Sequence, residues 1–292
     1  MTHVLTLIAA RDSTVLTASA IGRARDAIGG GTPAVLAPGE AVDLTCAAAP
    51  DLVQVRAALE GAPIDAIATT AANRRKRLLI ADMDSTIITS ETLDDLAAYA
   101  GLGEKIAAIT TRAMNGELDF KEALRERVGM LKGLPVAALE KTWAALQLTP
   151  GAMELVATMR AHGAYTALVS GGFTWFTSRV MARVGFDMHR SNELLDDGRQ
   201  LLGRVAEPIL DRSAKLVTLR ELVATRGLTD DDVLAVGDGA NDLDMLQAAG
   251  LGIAFHGKPA VAAAARAKVD HVDLRALLFA QGYPASAFVS GG

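Results

Sequence analysis

Three short apolar runs, each ending abruptly in a polar cluster, constrain the fold of this chain more than any other feature. Leu78-Leu79-Ile80-Ala81 stops at Asp82, Tyr165 to Val169 runs into Ser170-Gly171-Gly172, and Val233 to Val236 runs into Gly237-Asp238-Gly239. An uninterrupted apolar run of this length fits a parallel strand buried on both faces. Each is followed by a helix-compatible stretch, and Leu251 to Phe255 supplies another short strand. Strands alternating with helices, with polar residues at the strand C-terminal ends, predict a doubly wound parallel α/β sheet whose ligand sits at that edge. Between the first two runs lie about eighty residues without strand signals. They predict a helical insert, from Glu91 to beyond Met130, placed to cap the site.

Residues 1–72 read as a small α+β unit of their own. Val4 to Ala9 fits a strand, and Thr17 to Ile28 a helix stopped by Gly29-Gly30-Gly31. Ala34 to Leu36 and Ala41 to Ala47 fit two strands turning at Pro38-Gly39. Asp51 can cap a helix running to Leu59, and Ile64 to Thr69 fits a last strand. This β-α-β-β-α-β order resembles the ACT-like fold of small-molecule-sensing domains. The loop Arg11-Asp12-Ser13 lacks the glycine of many amino-acid-binding ACT domains, so a packing or dimerisation module without ligand is the plainer expectation. The expected division is 1–72 ACT-like and 73–292 catalytic, with the cap at about 87–149. The basic run Asn73-Arg74-Arg75-Lys76-Arg77 between them reads as a solvated linker.

A net charge of -5 argues against nucleic acid or an anionic membrane as the main partner. An anionic substrate would then need locally concentrated positive charge. The single cysteine, Cys46, excludes an internal disulfide and a thiolate metal cluster, and reads as a small buried strand residue. The five histidines (His3, His162, His189, His256, His271) lack metal-binding spacing, so zinc is not expected. No run approaches the roughly eighteen apolar residues that span a bilayer. Met1 to Ala10 lacks the basic start of a signal peptide, and a cytoplasmic location is expected.

Asp82-Met83-Asp84-Ser85-Thr86 holds the chemistry. On an extended backbone, residues two apart point to one side, so both carboxylates can face one pocket. Burying an acid after a fully apolar strand is costly unless it has a partner or a task. Gly237-Asp238-Gly239-Ala240-Asn241-Asp242 offers two more acids at another strand end, an oxygen donor set suited to Mg²⁺. Ser170 supplies a hydroxyl and, with Gly171 and Gly172, N–H groups open to a phosphate oxygen. Lys215, on the helix-like stretch Ser213 to Ala224, can bring a point charge. Singly, Lys215 reads as a surface lysine and Ser170 as a turn residue; the ordered set is what is specific.

That set resembles the four motifs of the haloacid dehalogenase superfamily of phosphatases, from about Arg77 to the end of the chain. DMDST with Glu91 downstream, VSGGF and GDGANDLDM are most similar to the phosphoserine phosphatases. The resemblance implies Asp82 as nucleophile and Asp84 as acid and base. It implies Mg²⁺ held by Asp82, the backbone carbonyl of Asp84, and Asp238, with Asp242 steadying the metal or Lys215. Ser170, Gly171 and Lys215 would hold phosphate and Asn241 would contact substrate. Glu91 would meet the substrate's ammonium, Arg127 its carboxylate, and Phe120 would form an apolar wall. The implied reaction is hydrolysis of O-phosphoserine, the last step of serine biosynthesis, with the small-molecule substrate and a second copy of the chain as expected partners.

Physics asks for a similar cast. A carboxylate approaching a phosphate dianion to ~4 Å meets ~4 kcal/mol of repulsion per charge pair at an effective dielectric of ~20. Mg²⁺ and Lys215 can offset it. A serine alkoxide leaves only when protonated, so Asp84 must carry a proton and its pKa must be raised by anionic neighbours. The competing readings are a related phosphatase or phosphotransferase on phosphohomoserine or a sugar phosphate, and an amino-acid-sensing regulator with an inert phosphatase-like domain. A sugar phosphate offers nothing to Glu91 and Arg127, and the intact set of Asp82, Asp84, Lys215 and Asp238 speaks against inertness.

Overall fold

The computed structural model describes residues 1–114 and 119–291. The chain opens with β1 (His3–Ala9), α1 (Ala18–Ile28), β2 (Ala34–Ala37), β3 (Ala41–Cys46), α2 (Leu52–Ala58) and β4 (Ile64–Thr70). Local signals set these limits. Thr17 Oγ1 accepts the Ala20 N–H at 3.1 Å, Gly29 closes α1 in the left-handed conformation, and Asp51 accepts the Val53 N–H to start α2. The strands form an antiparallel sheet in the order β2-β3-β1-β4. On one face Leu5, Leu7 and Ala9 pack with Ala20, Ala24 and Val55 of the two helices.

The other face is buried as well, since Ile8 and Ile67 join the main core of the molecule. Arg74 grips Asp43 through both Nη atoms, and its Nε donates to Ala280 O at 2.9 Å. Thr6 Oγ1 donates to Asp43 and accepts from Arg74. Asp65 accepts three backbone N–H groups, from Asp270, His271 and Val272, at 2.9, 3.0 and 3.2 Å. The run Asn73–Arg77 is therefore only in part the solvated linker that its charge suggested: Asn73, Arg75 and Arg77 are exposed, while Arg74 and Lys76 are half-buried. Arg74 locks the sheet to the body, Arg75 lies 4.4 Å from the Tyr283 ring centroid, and Lys76 donates to Asp231 O. Charge alone could not reveal this, because an acceptor such as Ala280 O lies 206 positions away in sequence.

There follow β5 (Leu78–Ala81), α3 (Thr92–Tyr99), α4 (Gly103–Met114), α5 (Phe120–Gly129), α6 (Ala137–Ala145), α7 (Ala152–Ala161), β6 (Tyr165–Phe173) and α8 (Thr174–Val184). Then come β7 (Met188–Asn192), β8 (Leu194–Asp196), β9 (Leu201–Val205), α9 (Ser213–Thr225), β10 (Val233–Gly237), α10 (Leu243–Ala248), β11 (Leu251–Phe255), α11 (Pro259–Ala264), β12 (Ala267–Val269) and α12 (Ala276–Ala280). Six strands build one parallel sheet, β12-β11-β10-β5-β6-β7. All four residues of β5 are 0% exposed, which is why the run is apolar without alternation. From β5 the chain proceeds to β6 and β7 on one side, then returns on the other as β10, β11 and β12. The crevice between the ends of β5 and β10 is thus the topological switch point, where such sheets bind ligands.

Helices α3 to α6 lie between β5 and α7, and an antiparallel bridge between Ile88 and Leu148 ties the two ends of this insert together. The expected cap, 87–149, includes residues 115–118, which lie outside the described residues. Strands β7 and β12 and the β8–β9 hairpin carry no strong sequence signal. Met188-His189-Arg190-Ser191-Asn192 is mostly polar because β7 is an edge strand, and β12 is three residues long. Among the described residues no helix is long and apolar enough to cross a membrane.

Candidate active site

The Asp82 N–H continues the ladder of β5 to Val236 O of β10 at 3.0 Å, and its carboxylate stands at the switch point, 5% exposed. Its Oδ1 accepts from Met83 N at 2.7 Å and Lys215 Nζ at 2.8 Å. No hydrogen bond reaches Oδ2 among the described residues. Two residues on, Asp84 Oδ1 accepts both the N–H and the hydroxyl of Thr92, each at 2.8 Å, and Oδ2 accepts from Ser170 Oγ at 3.1 Å. Ser85 adopts the left-handed conformation (φ 53°), and its hydroxyl donates to Glu91 Oε1 at 2.7 Å.

The end of β6 supplies the opposite wall. Ser170 Oγ accepts the Gly172 N–H at 2.8 Å. A Cβ on Gly172 would stand 2.9 Å from Asp84 Oδ2, so the close approach of β6 to the acid requires glycine. Phe120, at the start of α5, closes over Gly171, and Asn192 Nδ2 donates to Gly171 O at 2.8 Å. Phe120, Ser170, Gly171, Lys215 and Asn241 line one small pocket of about 10 Å³.

The end of β10 completes the crevice. Asp238 is 6% exposed, with Lys258 Nζ 3.6 Å away. Asp242 Oδ1 accepts from Lys215 Nζ and Oδ2 accepts the Gly239 N–H at 2.9 Å, so both its oxygens are engaged. Carboxylate oxygens of Asp82, Asp238 and Asp242 lie within 4.8 Å of one another. Burial pushes the acids upward. Asp84 reaches about 6, where burial and the Glu91 charge outweigh the hydrogen bonds from Thr92 and Ser170. Asp238 also reaches about 6, where burial, Asp242 and Glu91 outweigh Lys258 and Lys215. Asp82 is held well above the usual carboxylate range by burial and by Asp242 and Asp84, against Lys215. Burial alone would lower Lys215, but Asp242 and Asp82 raise it above the ordinary lysine range. Three crowded acids thus share one buried lysine, and the excess negative charge, borne on hard oxygen donors, fits a divalent cation.

Glu91, at the N-terminal cap of α3, acts electrostatically on both Asp84 and Asp238. Arg127 of α5 is lowered by burial and supported by the charges of Asp94 and Glu91. Three neighbours carry no local signal: Thr92 on Asp84, Asn192 on Gly171, and Lys258 beside Asp238. Thr92 directly follows Glu91, yet its bond to an acid eight positions earlier depends on the turn between them. A larger cavity, about 570 Å³, lies in the seam between the N-terminal sheet and the body. Its charged side chains pair with one another, Arg275 with Asp273 and Glu40, and Arg11 with Glu40.

The model of the haloacid dehalogenase-like hydrolase family matches residues 79–247, which hold nearly all of this site. The chain belongs to the haloacid dehalogenase-like hydrolases. A phosphoserine phosphatase of Archaeoglobus fulgidus is 47% identical over 186 residues, covering 64% of this chain and 54% of that one. A phosphoserine phosphatase of Lactococcus lactis subsp. lactis is 42% identical over 203 residues, covering 70% of this chain and 93% of that one. The chain spans about half the length of several curated relatives, such as those of Archaeoglobus fulgidus and Streptomyces coelicolor. Among solved structures, a HAD family hydrolase of Salmonella enterica serovar Typhi superposes with a TM-score of 0.82 at 29% identity, covering 95% of this chain and 98% of that one. The likeness to this hydrolase therefore extends through the N-terminal sheet.

Proposed function

We propose that this haloacid dehalogenase-like hydrolase is a Mg²⁺-dependent phosphatase that hydrolyses O-phosphoserine to serine and phosphate through an aspartyl phosphate on Asp82. The observation that carries the reading is one crevice holding a lysine-paired acid, Asp82, beside a second acid, Asp84, whose pKa is pushed up to about 6. Glu91 and Arg127, of opposite charge, stand on the insert above it. The names of the Archaeoglobus and Lactococcus relatives support the substrate. In this reading residues 1–72 are an ACT-like unit, residues 73–292 the catalytic unit, the protein works in the cytoplasm, and a second copy of the chain is its expected partner.

Each group then has a task. Lys215, Ser170, Asn241 and the N–H group of Gly171 hold the phosphate oxygens. Asp82 Oδ2, free of the donors that occupy Oδ1, attacks phosphorus, and the bond from phosphorus to the serine oxygen breaks. Asp84 gives its proton to that oxygen. As a carboxylate it then takes a proton from the water that attacks the aspartyl phosphate, which restores both acids. Mg²⁺ would be held by Asp82, Asp238 and the backbone carbonyl of Asp84, and when bound it supplies positive charge against the phosphate. Asp242 holds Lys215 rather than the ion. Glu91 meets the ammonium of phosphoserine, Arg127 its carboxylate, and Phe120 shields the bond being broken. A panel of phosphoserine, phosphothreonine, glucose 6-phosphate and an aryl phosphate, assayed with and without Mg²⁺, tests the proposal. Phosphoserine should lead by at least an order of magnitude in kcat/KM and need Mg²⁺; a sugar phosphate in the lead would overturn the substrate.

A further inference from the structure

Edge strand β7 has four half-buried residues and a single buried one, Asn192, at 2% exposure. The side chain of Asn192 is fully engaged. Its Nδ2 donates to Gly171 O at 2.8 Å and to Leu210 O at 3.3 Å, and its Oδ1 accepts the Leu210 N–H at 2.8 Å. Two carbonyls that need donors and one N–H that needs an acceptor specify an amide. Gly171 and Leu210 both line the small pocket that holds Ser170, Lys215 and Asn241, and Asn192 joins them from outside that lining. We propose that Asn192 is a positioning residue for the phosphate, fixing the Gly171–Gly172 peptide against the segment that leads to Lys215. The inference rests on the reading that Ser170, Gly171 and Lys215 hold phosphate.

The two glycines create the need for such a residue. Space dictates them, since a Cβ on Gly171 would meet the Phe120 ring at 3.4 Å and one on Gly172 would stand 2.9 Å from Asp84 Oδ2. Without a Cβ, however, their backbone is free to take orientations closed to other residues. A peptide unit is planar, so holding Gly171 O also fixes the N–H of Gly172 on the opposite side. That N–H meets Ser170 Oγ at 2.8 Å. A turned peptide would bring the carbonyl oxygen, with its partial negative charge, to the side of Ser170 where the phosphate oxygens belong. Leu210 is held through both its backbone groups just before Ser213 opens α9, the helix of Lys215. Without the Asn192 amide the glycines keep their freedom until phosphate binds, and binding bears the cost of ordering them. Fixing the backbone of one residue corresponds to a factor of about 5–30, so releasing this loop weakens its grip on phosphate by about 10- to 100-fold.

Asn192→Leu keeps the size of the side chain and removes all three hydrogen bonds. The measurements are kcat/KM for phosphoserine and for p-nitrophenyl phosphate with Mg²⁺, the inhibition constant of inorganic phosphate, Mg²⁺ affinity by calorimetry, and Tm. The variant should lose about 10- to 100-fold in kcat/KM, by the same factor on both esters, because the phosphate they share is what it grips poorly. The inhibition constant of phosphate should rise about tenfold or more. Mg²⁺ affinity should stay within about threefold of wild type, since Asp82 and Asp238 stand at the ends of β5 and β10, whereas Asn192 bonds to β6 and the approach to α9. A general loosening of the fold would instead lower both affinities together. A lowered Tm with kcat/KM and phosphate inhibition unchanged, or equal losses of Mg²⁺ and phosphate affinity, would overturn the role of Asn192. Should the leucine variant fail to fold, Asn192→Ala removes the same bonds without crowding and carries the same contrast. A wild-type protein inert toward both esters would sink the phosphatase reading instead, a result separable from either outcome.

Discussion

Replacing Lys215 with methionine removes one charge from the most crowded part of the molecule while keeping most of the side-chain volume. Lys215 is 3% exposed and pairs with Asp82 at 2.8 Å and with Asp242. Without it, two buried carboxylates face each other, within a set of acids whose oxygens lie within 4.8 Å. At that separation their repulsion is about 3 kcal/mol for an effective dielectric of about 20. Losing one partner of a buried pair costs about 3–5 kcal/mol in general. Protonation sets the ceiling. The folded pKa of Asp82 lies above its ordinary value of 3.8, and removal of Lys215 raises it further. A carboxylate with a raised folded pKa costs stability when ionised, so the cost shrinks as pH falls toward the unfolded value. Neutralising one acid costs at most about 6 kcal/mol at pH 8 and about 2 kcal/mol at pH 5.5, at about 1.4 kcal/mol per pH unit. Urea unfolding of the metal-free wild type and Lys215→Met at both pH values is the assay. The variant should be inactive, destabilised by about 3–6 kcal/mol at pH 8 and by no more than about 2 kcal/mol at pH 5.5, where wild-type Asp82 already carries part of that cost. A loss independent of pH, or no loss at pH 8, would refute the view of Lys215 as the counter-charge of this cluster.

Arg127→Ala should weaken kcat/KM for phosphoserine by two or more powers of ten, roughly the ~3 kcal/mol of a buried charged contact, and Glu91→Gln should follow it. An aryl phosphate, with neither ammonium nor carboxylate, should lose far less; equal losses would mean that these residues support the insert rather than read the substrate. Divalent-cation affinity, followed by calorimetry, should weaken as pH falls through about 6, where Asp238 gains a proton that competes with the ion; affinity unchanged from pH 8 to pH 5 would remove Asp238 from the site. Asp65→Ala should lower stability by about 1–3 kcal/mol, since one buried and two partly buried N–H groups lose their acceptor. For the same reason a chain shortened to begin at Asn73 should melt well below the full chain, and an unchanged Tm would contradict the docking of the sheet through Asp65 and Arg74.

What was legible in the sequence was what depends on neighbours in sequence. The β5 run Leu78–Ala81, the glycines at the ends of β6 and β10, and the caps Thr17, Gly29 and Asp51 are local, and their elements lie where periodicity and caps predict. Asp82, Ser170, Lys215 and Asp238 could be selected because each closes or follows such an element. What was not legible depends on distant contacts. The basic run at Arg74 reads as solvated until Asp43 and the carbonyls of Phe279 and Ala280 come into place around it. Edge strand β7 lacks an apolar pattern because only one of its sides is paired. Lys258 follows β11 without any motif and meets Asp238 only because β10 and β11 are neighbours in the sheet.

The central claim is that phosphate passes through Asp82, and trapping that intermediate tests it most directly. The full-length protein with Mg²⁺ would be mixed with ³²P-labelled phosphoserine, quenched in acid within milliseconds and digested, and the labelled peptide sequenced. The label should sit on the peptide that carries Asp82, be lost in mild alkali as an acyl phosphate is, and be absent from Asp82→Asn protein. Label on Ser85 or Ser170, or wild-type turnover by Asp82→Asn, would contradict the account.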